Sequence, residues 1–402
     1  MLSQIILNFS KTKKMDWKKR FQRLVVNAEA HFDKLKSQLL LRVGGYDEVM
    51  ILPYIGFGNK KSIYLKGRVL EDKKIKTAES SDSIWENLRA SYKRMNSNEL
   101  PYVKLKATFQ GIEKEVLSDE EGYFTLLLTT ETEFASENSW AEVSLELIEV
   151  KGNKQEQVDA RGMVLIPSEN VGFGIISDID DTILQTKATE ITKLIQLTFM
   201  RNARTRCSFK GVSAFYHALQ KGKNEEQYNP IFYVSSSPWN LYDFLKDFCE
   251  IKNIPKGVFF LRDLGLSQDK FLQSSHSGHK SAHIHRIMAM YPQMSFVLIG
   301  DSGQKDPEIY LEAVRRYPHR ILAIYIRDVS ENEKDIRAEK VVSEAQDLGV
   351  AMLFFRDTLE AGQHAVAQGF ISEVALTQIE QDQNYKEQTE LDFPILEKWK
   401  RG

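Results

Sequence analysis

The chain has 402 residues, 42 % hydrophobic and 27 % charged, with a net charge of −2. That is an ordinary globular composition, too long for a single core, with no overall excess of positive charge to recruit nucleic acid. The two cysteines, Cys207 and Cys249, match no metal-ligand spacing and cannot build a disulfide framework, so a reducing, cytoplasmic setting is expected. No apolar run reaches the ~18–20 residues that span a bilayer. The apolar stretch Met1–Phe9 is followed by its charges rather than preceded by them, the wrong order for a secretory signal.

Residues 1–46 read as a basic amphipathic extension. Between Lys11 and Arg42 stand ten Lys or Arg against three Asp or Glu. Within that stretch Trp17, Phe21, Leu24, Val25, Ala28, Phe32, Leu35 and Leu39 recur at helical spacing and form one apolar stripe. Two readings stay open. The stripe docks on the protein's own core and leaves its lysines in water, or residues 11–42 lie on an anionic membrane surface and make the protein peripheral there.

Over residues 47–168 the period changes to two. Val103, Leu105, Ala107 and Phe109 alternate with polar or short side chains, as do Val143, Leu145 and Leu147. Such alternation predicts strands with one buried face. Asp119-Glu120-Glu121-Gly122 supplies a turn ahead of a strand at Tyr123–Thr129, and a capping box at Ser83 and Glu86 predicts one helix. An antiparallel β-sandwich with an accessory or binding role is expected.

Residues 169–370 change pattern once more. Short apolar runs at Phe173–Ile176, Ile231–Val234, Val258–Leu261, Phe296–Ile299, Ile321–Ile326 and Ala351–Phe355 are separated by helical-length segments. Buried strands alternating with helices predict an α/β fold built on a doubly wound parallel sheet. Residues 371–402 are polar and rich in Gln and Glu, which predicts a helix and a tail.

In an open α/β sheet, reactive groups gather beyond the carboxyl ends of the strands. The run Phe173–Ile176 leads into Ser177-Asp178-Ile179-Asp180-Asp181-Thr182. Three acids in four residues at a buried strand end repel strongly unless a cation neutralises them, and oxygen-only ligands suit hard Mg²⁺. Ile231–Val234 delivers Ser235-Ser236-Ser237-Pro238-Trp239-Asn240, whose hydroxyls and N–H groups suit phosphate oxygens. Phe296–Ile299 delivers Gly300-Asp301-Ser302-Gly303-Gln304-Lys305-Asp306, adding two acids to the set. Lys280, just before the helix that leads into that strand, offers a cation to hold phosphate.

Taken in order, Asp178-x-Asp180-x-Thr182, the strand-end Ser235, Lys280 and Gly300-Asp301-x4-Asp306 resemble the four motifs of the haloacid-dehalogenase superfamily. More narrowly, the runs Ser177–Ile183, Tyr233–Trp239, His279-Lys280 and Gly300–Tyr310 resemble the actin-patch-type phosphatidate phosphatase catalytic domain over about Gly172 to Phe370. Ser236 departs from that pattern, standing where many members carry Asn.

The resemblance implies a superfamily-type parallel sheet with a small cap formed by Gln185–Lys210, where Arg201, Arg204 and Arg206 could face an anionic headgroup or simply water. It further implies Asp178 as the nucleophile and Asp180 as the acid–base. Ser235, Ser236, Thr182 and Lys280 would serve substrate phosphate, with Thr182 mainly fixing its loop. Mg²⁺ would be held by Asp178, the Asp180 carbonyl and Asp301, with Asp306 in or beside the coordination shell. The implied substrate is phosphatidate, cleaved to diacylglycerol and phosphate. Soluble phosphomonoesters are the alternative, and a non-enzymatic scaffold centred on the sandwich is a remote third.

Asp181 is read as structural. His279 and His283, spaced i, i+4 on a predicted helix beside His276 and His285, raise zinc, but Lys280 next to them disfavours a divalent cation. A solvated helix face is the plainer expectation there. Arg327, after a strand end, is the weakest of the candidate phosphate cations.

Overall fold

The structure is a computed structural model, and it describes residues 49–72, 98–135, 139–149, 158–179, 211–262, 276–303, 305–329 and 336–384. The basic stripe at 11–42, the helix expected at Ser83, the cap segment 185–210 and the end of the tail lie outside the described residues.

In chain order the strands are β1 (Val49–Pro53), β2 (Gly56–Asn59), β3 (Ser62–Glu71), β4 (Lys104–Phe109), β5 (Ile112–Leu117), β6 (Tyr123–Thr129), β7 (Trp140–Glu149), β8 (Asp159–Leu165) and β9 (Gly174–Asp178). Then follow α1 (Val212–Lys221), β10 (Ile231–Pro238), a 3-10 turn (Trp239–Leu241), α2 (Tyr242–Ile251), β11 (Val258–Arg262) and α3 (His276–Met290). The remainder comprises β12 (Phe296–Asp301), α4 (Asp306–Arg316), β13 (Ile321–Arg327), α5 (Ile336–Asp347), β14 (Ala351–Phe355), α6 (Thr358–Ala367) and α7 (Glu373–Asn384). The chain divides into two compact units. The first is drawn from Met1–Val171, Phe232–Ile251 and Gly257–Met294, and the second from Gly172–Ile231, Lys252–Lys256 and Ser295–Gly402.

In the first unit β1 to β8 form one eight-stranded sheet, mostly antiparallel, with β2 and β8 the parallel pair. The long strand β3 takes β1 and β2 along one edge and β6 along the other. The period-two pattern becomes burial directly: Leu105, Ala107 and Phe109 on β4 are buried, and so are Val143 and Leu145 on β7 and Phe124, Leu126 and Leu128 on β6. They join one core with Ile63, Leu65, Val69 and Val164. Each fully buried aliphatic or aromatic side chain contributes about 1.5–3 kcal/mol.

Two turns set the registers. Gln110 and Gly111, both at positive φ, join β4 to β5 with Phe109 opposite Ile112, the primed two-residue hairpin that suits strand twist. At the turn foreseen before β6, Asp119 Oδ1 accepts the N–H groups of Glu121 and Tyr123 at 3.0 and 2.8 Å, and Gly122 takes φ +75°. The same unit contains β10 and β11, paired in parallel, with α2 and α3.

In the second unit β9, β12, β13 and β14 lie side by side in that order, all parallel. All six residues of β12 are buried, as expected of a strand covered on both faces. The six apolar runs singled out in the sequence are the strands β9 to β14. Helix α4 packs on β12 and β13, α5 on α4 and β14, and α7 on α1 and α6. Among the described residues no helix is long and apolar enough to cross a membrane.

Candidate active site

The carboxyl end of β9 carries Asp178 and that of β12 carries Asp301, and the two strands are paired neighbours. Parallel pairing therefore delivers both acids to the same end of the second unit. Asp306, five residues after Asp301, opens α4 with Pro307 behind it; the helix takes this acid in its first turn, where the dipole favours negative charge. Carboxylate oxygens of Asp178, Asp301 and Asp306 lie within 4.8 Å of one another, with Asp178 half-buried and the other two buried. This is the one such cluster of possible metal-ligating side chains among the described residues.

At an effective dielectric near 20, each pair of charges so placed repels by about 3 kcal/mol. The cost is offset by backbone donors and by any cation between the acids. Gly303 N–H donates to Asp301 Oδ1 at 2.8 Å, and Asp301 N–H points at Asp306 Oδ2 at 3.4 Å. Oxygens around an octahedral hard cation stand roughly 3–4 Å apart at metal–oxygen distances of about 2.1 Å. An all-oxygen set at this spacing fits a divalent cation of that class and gives soft metals no reason to prefer it.

The loop after β12 is braced from several sides. Ser302 N–H donates to the Arg327 carbonyl at 2.9 Å, its hydroxyl donates to Asp328 Oδ1 at 3.2 Å, and Val329 N–H donates to that hydroxyl at 3.0 Å. Asp328 in turn accepts Arg356 Nε at 2.9 Å. Arg327 does not act as a loose cation: it donates to Thr358 Oγ1 at 2.8 Å and to the Arg356 carbonyl at 3.2 Å, and lies over the Phe355 ring. Behind the acids, Tyr310 is buried and donates to the Ile299 carbonyl at 2.7 Å. Burial, then the charges of Asp306 and Asp178, raise its pKa well above that of free tyrosine, so it stays a neutral donor. Ser177, fully buried, shares a 2.6 Å hydrogen bond with the Tyr216 hydroxyl.

The other candidates stand in the first unit. Ser235 and Ser237 are buried near the end of β10, Ser236 between them is half-buried, and Ser237 N–H donates to Ser235 Oγ at 2.9 Å. Lys280 is buried on α3, with 3 % of its surface exposed, so its cationic group is withdrawn from bulk water. His279 and His283 are both half-buried. Their Nε2 atoms lie 3.1 Å apart, and the His283 ring rests on Phe260. They are therefore a packed pair rather than the solvated face expected, and His285 alone of the described imidazoles on this helix is exposed. No third ligand joins them among the described residues.

Asp180, Asp181 and Thr182 lie outside the described residues, as do Arg201, Arg204 and Arg206. Of the expected metal set the structure brings together Asp178, Asp301 and Asp306. Sequence reasoning gave no role to Tyr310 or Tyr216. Tyr310 had a signal, falling i+4 from Asp306 on the helix that acid opens, and Tyr216 had none because its partner is 39 residues away.

Residues 173–328 match the family described as phosphatidate phosphatase APP1, catalytic domain. Phosphatidate phosphatase APP1 of Saccharomyces cerevisiae is 32 % identical over 180 residues, which is 44 % of this chain and 30 % of that protein. An uncharacterized protein of Schizosaccharomyces pombe is 27 % identical over 260 residues, 63 % of this chain and 42 % of that one. The chain thus spans less than half the length of these curated relatives. Among solved structures, a carbohydrate acetylesterase from Xanthomonas citri shares 11 % identity at a TM-score of 0.27, covering 74 % of this chain and 66 % of that one. The matched segment contains the whole acidic cluster.

Proposed function

Because residues 173–328 match the phosphatidate phosphatase APP1 catalytic-domain family, we infer that this chain is a Mg²⁺-dependent phosphoric monoester hydrolase whose substrate is phosphatidate. The observation that carries the reading is the meeting of Asp178, Asp301 and Asp306 within 4.8 Å inside the matched segment. The superfamily-type fold and cap are part of the same inference. A hydrolase of phosphate monoesters must bring a nucleophile to an anionic centre that repels it, and buried acids around a hard cation, with a buried lysine, are the chemistry for doing so.

In this reading a carboxylate oxygen of Asp178 attacks phosphorus in line with the ester oxygen. The P–O bond to the diacylglycerol breaks, and Asp180 gives its proton to the departing alkoxide. Asp180, now a carboxylate, takes a proton from water, which attacks the aspartyl-phosphate and releases inorganic phosphate with Asp178 restored. General acid–base help of this kind is worth roughly 10²–10⁴-fold. Asp301 and Asp306, with Asp178 and the Asp180 carbonyl, would hold Mg²⁺, which when bound draws charge from the phosphoryl oxygens. Ser235, Ser236 and Lys280 would bind those oxygens, and Thr182 would hold the nucleophile loop. Residues 11–42, with their basic apolar stripe, would hold the protein at an anionic membrane where phosphatidate lies.

The test is phosphate release by the purified protein from phosphatidate-containing vesicles and from a panel of soluble phosphomonoesters, each with Mg²⁺ and with chelator. Mg²⁺-dependent release from the vesicles is expected. Turnover of the soluble esters with none on vesicles would keep the phosphatase chemistry and discard the lipid substrate.

A further inference from the structure

We propose that the eight-stranded sheet is a positioning element for the Ser235–Ser237 loop, acting through a clamp of Tyr54 and Lys66 on Trp239 and Tyr242. That the loop serves phosphate rests on the reading above; that the sheet holds it rests on the following geometry. β10 pairs regularly with β11 from Phe232 to Val234, opposite Val258 to Phe260. The next paired residue is Pro238, opposite Arg262, so the register shifts across the three serines. Four steps along β10 correspond to two along β11, and the serines therefore leave the ladder as a bulge, a device that re-aims side chains. The ladder to β11 therefore does not set the register of the three serines. An internal bond, Ser237 N–H to Ser235 Oγ at 2.9 Å, tightens the loop, and its far end has an anchor of its own.

That anchor comes from strands far away in the sequence. Tyr54, between β1 and β2, stacks on the Trp239 ring at 5.2 Å with 5° between planes and meets the Tyr242 ring at 4.2 Å. Ile55 N–H donates to the Tyr242 hydroxyl at 2.8 Å. Lys66 on β3 places Nζ 4.9 Å from the centroids of both Trp239 and Tyr123, and its carbonyl accepts Tyr54 N–H at 2.8 Å. Tyr54, Lys66, Trp239 and Tyr242 are all buried. Stacked aromatic pairs add roughly 0.5–1.5 kcal/mol beyond their burial, and a desolvated cation over a ring adds more. The residues directly after the bulge are thus held by the sheet, which explains why Phe232–Ile251 falls in one compact unit with it.

The test compares Tyr54→Leu, Tyr54→Phe and a control, Val143→Ala, which opens a cavity on β7 away from the clamp. For each, the full chain is assayed for KM, kcat, the inhibition constant of inorganic phosphate, melting temperature and hydrogen exchange of residues 235–241. Tyr54→Leu should raise KM and the phosphate inhibition constant about ten-fold, short of the roughly 100-fold that a 1 Å misplacement can cost. It should also speed exchange at 235–241, while Tyr54→Phe, which keeps the ring, restores both. Val143→Ala should lower the melting temperature and move neither readout. Exchange at 235–241 equal in Tyr54→Leu and wild type would overturn the clamp, whatever the activity. Faster exchange with unchanged phosphate inhibition would overturn its positioning role. If no variant, wild type included, hydrolyses a phosphate ester, the exchange result still decides the clamp and only the phosphatase reading fails.

Discussion

A Cβ placed on Gly300 would stand 2.6 Å from Asp306 Oδ2 and 2.9 Å from its Cβ, so the hydrogen of a glycine is all that separates β12 from the acid that opens α4. The same methyl would come within 2.9 Å of the Tyr310 ring. Gly300→Ala must therefore push Asp306 and α4 away from Asp301. Overpacking of this kind costs about 1–3 kcal/mol. The expected outcome is that loss of stability together with a fall in kcat of at least about 100-fold, the scale set by a 1 Å displacement in a catalytic array. Steady-state kinetics alongside chemical denaturation measures both, and near-wild-type turnover would show that Asp306 need not stay where it is.

The crowding of the three acids makes a second prediction. Asp178, Asp301 and Asp306 lie within 4.8 Å of one another, so the protein stripped of divalent metal keeps the part of their repulsion that hydrogen bonds do not offset. Mg²⁺ should raise the melting temperature of the wild type in a saturable, chelator-reversible way, since it binds the folded state alone. Asp178→Asn removes one charge and the nucleophile. It should melt at or above the wild-type temperature in chelator, gain less from Mg²⁺, and turn over no substrate. Scanning calorimetry with and without Mg²⁺, run beside the phosphate-release assay, separates these effects. Residual turnover in Asp178→Asn would remove the nucleophile assignment, whereas a wild type indifferent to Mg²⁺ would remove the metal.

The strands and the acids were legible for different reasons. Burial on both faces leaves an unbroken apolar run such as Phe296–Ile299, and burial on one face leaves the alternation of Val103 to Phe109, so both sheets could be read by period. The acids could be read because strand ends in parallel sheets are where reactive groups stand, and β9 and β12 proved to be neighbours. Contacts at long range left no such trace. Tyr54 and Trp239 are 185 positions apart, and nothing in either local sequence announces a stack. The same holds for Arg327, whose tie to Thr358 turns a candidate phosphate cation into a brace. The histidines of α3 misled for a related reason. Helical spacing brought His279 and His283 together correctly, but only the packing of β11 through Phe260 decides that they are half-buried.

Tyr310 behind the acids carries a third prediction. Its hydroxyl donates to the Ile299 carbonyl at 2.7 Å, and burial beside Asp306 and Asp178 holds it protonated far above the usual tyrosine range. Tyr310→Phe removes that donor while keeping the ring. A loss of about 1–2 kcal/mol is expected, the value of one buried neutral hydrogen bond and its orphaned acceptor. Because the phenol does not titrate below the alkaline limit of the folded protein, the loss should be the same at every pH from 6 to 9. Urea denaturation at several pH values checks it, and a loss that shrinks towards pH 9 would mean the tyrosine ionises after all.

His364, away from the site, carries a fourth prediction, of acid sensitivity. His364 on α6 lies 2.9 Å through Nδ1 from the Tyr325 hydroxyl, its ring set edge-on to the tyrosine ring. Burial raises the Tyr325 pKa, so that phenol keeps its proton and donates it to a neutral imidazole. Burial lowers the His364 pKa below its ordinary value, and protonating Nδ1 would also lose the acceptor. The unfolded chain therefore binds this proton more readily than the folded one. Stability from His364 is complete above the unfolded value near 6.5 and is lost as pH falls from there through the depressed folded value. His364→Gln keeps a hydrogen-bonding group and removes the titration. Melting temperatures of wild type and variant measured from pH 7.5 to 5 should converge as the pH drops, with the wild type higher at the neutral end. Curves that stay parallel over that window would assign the acid sensitivity to other groups.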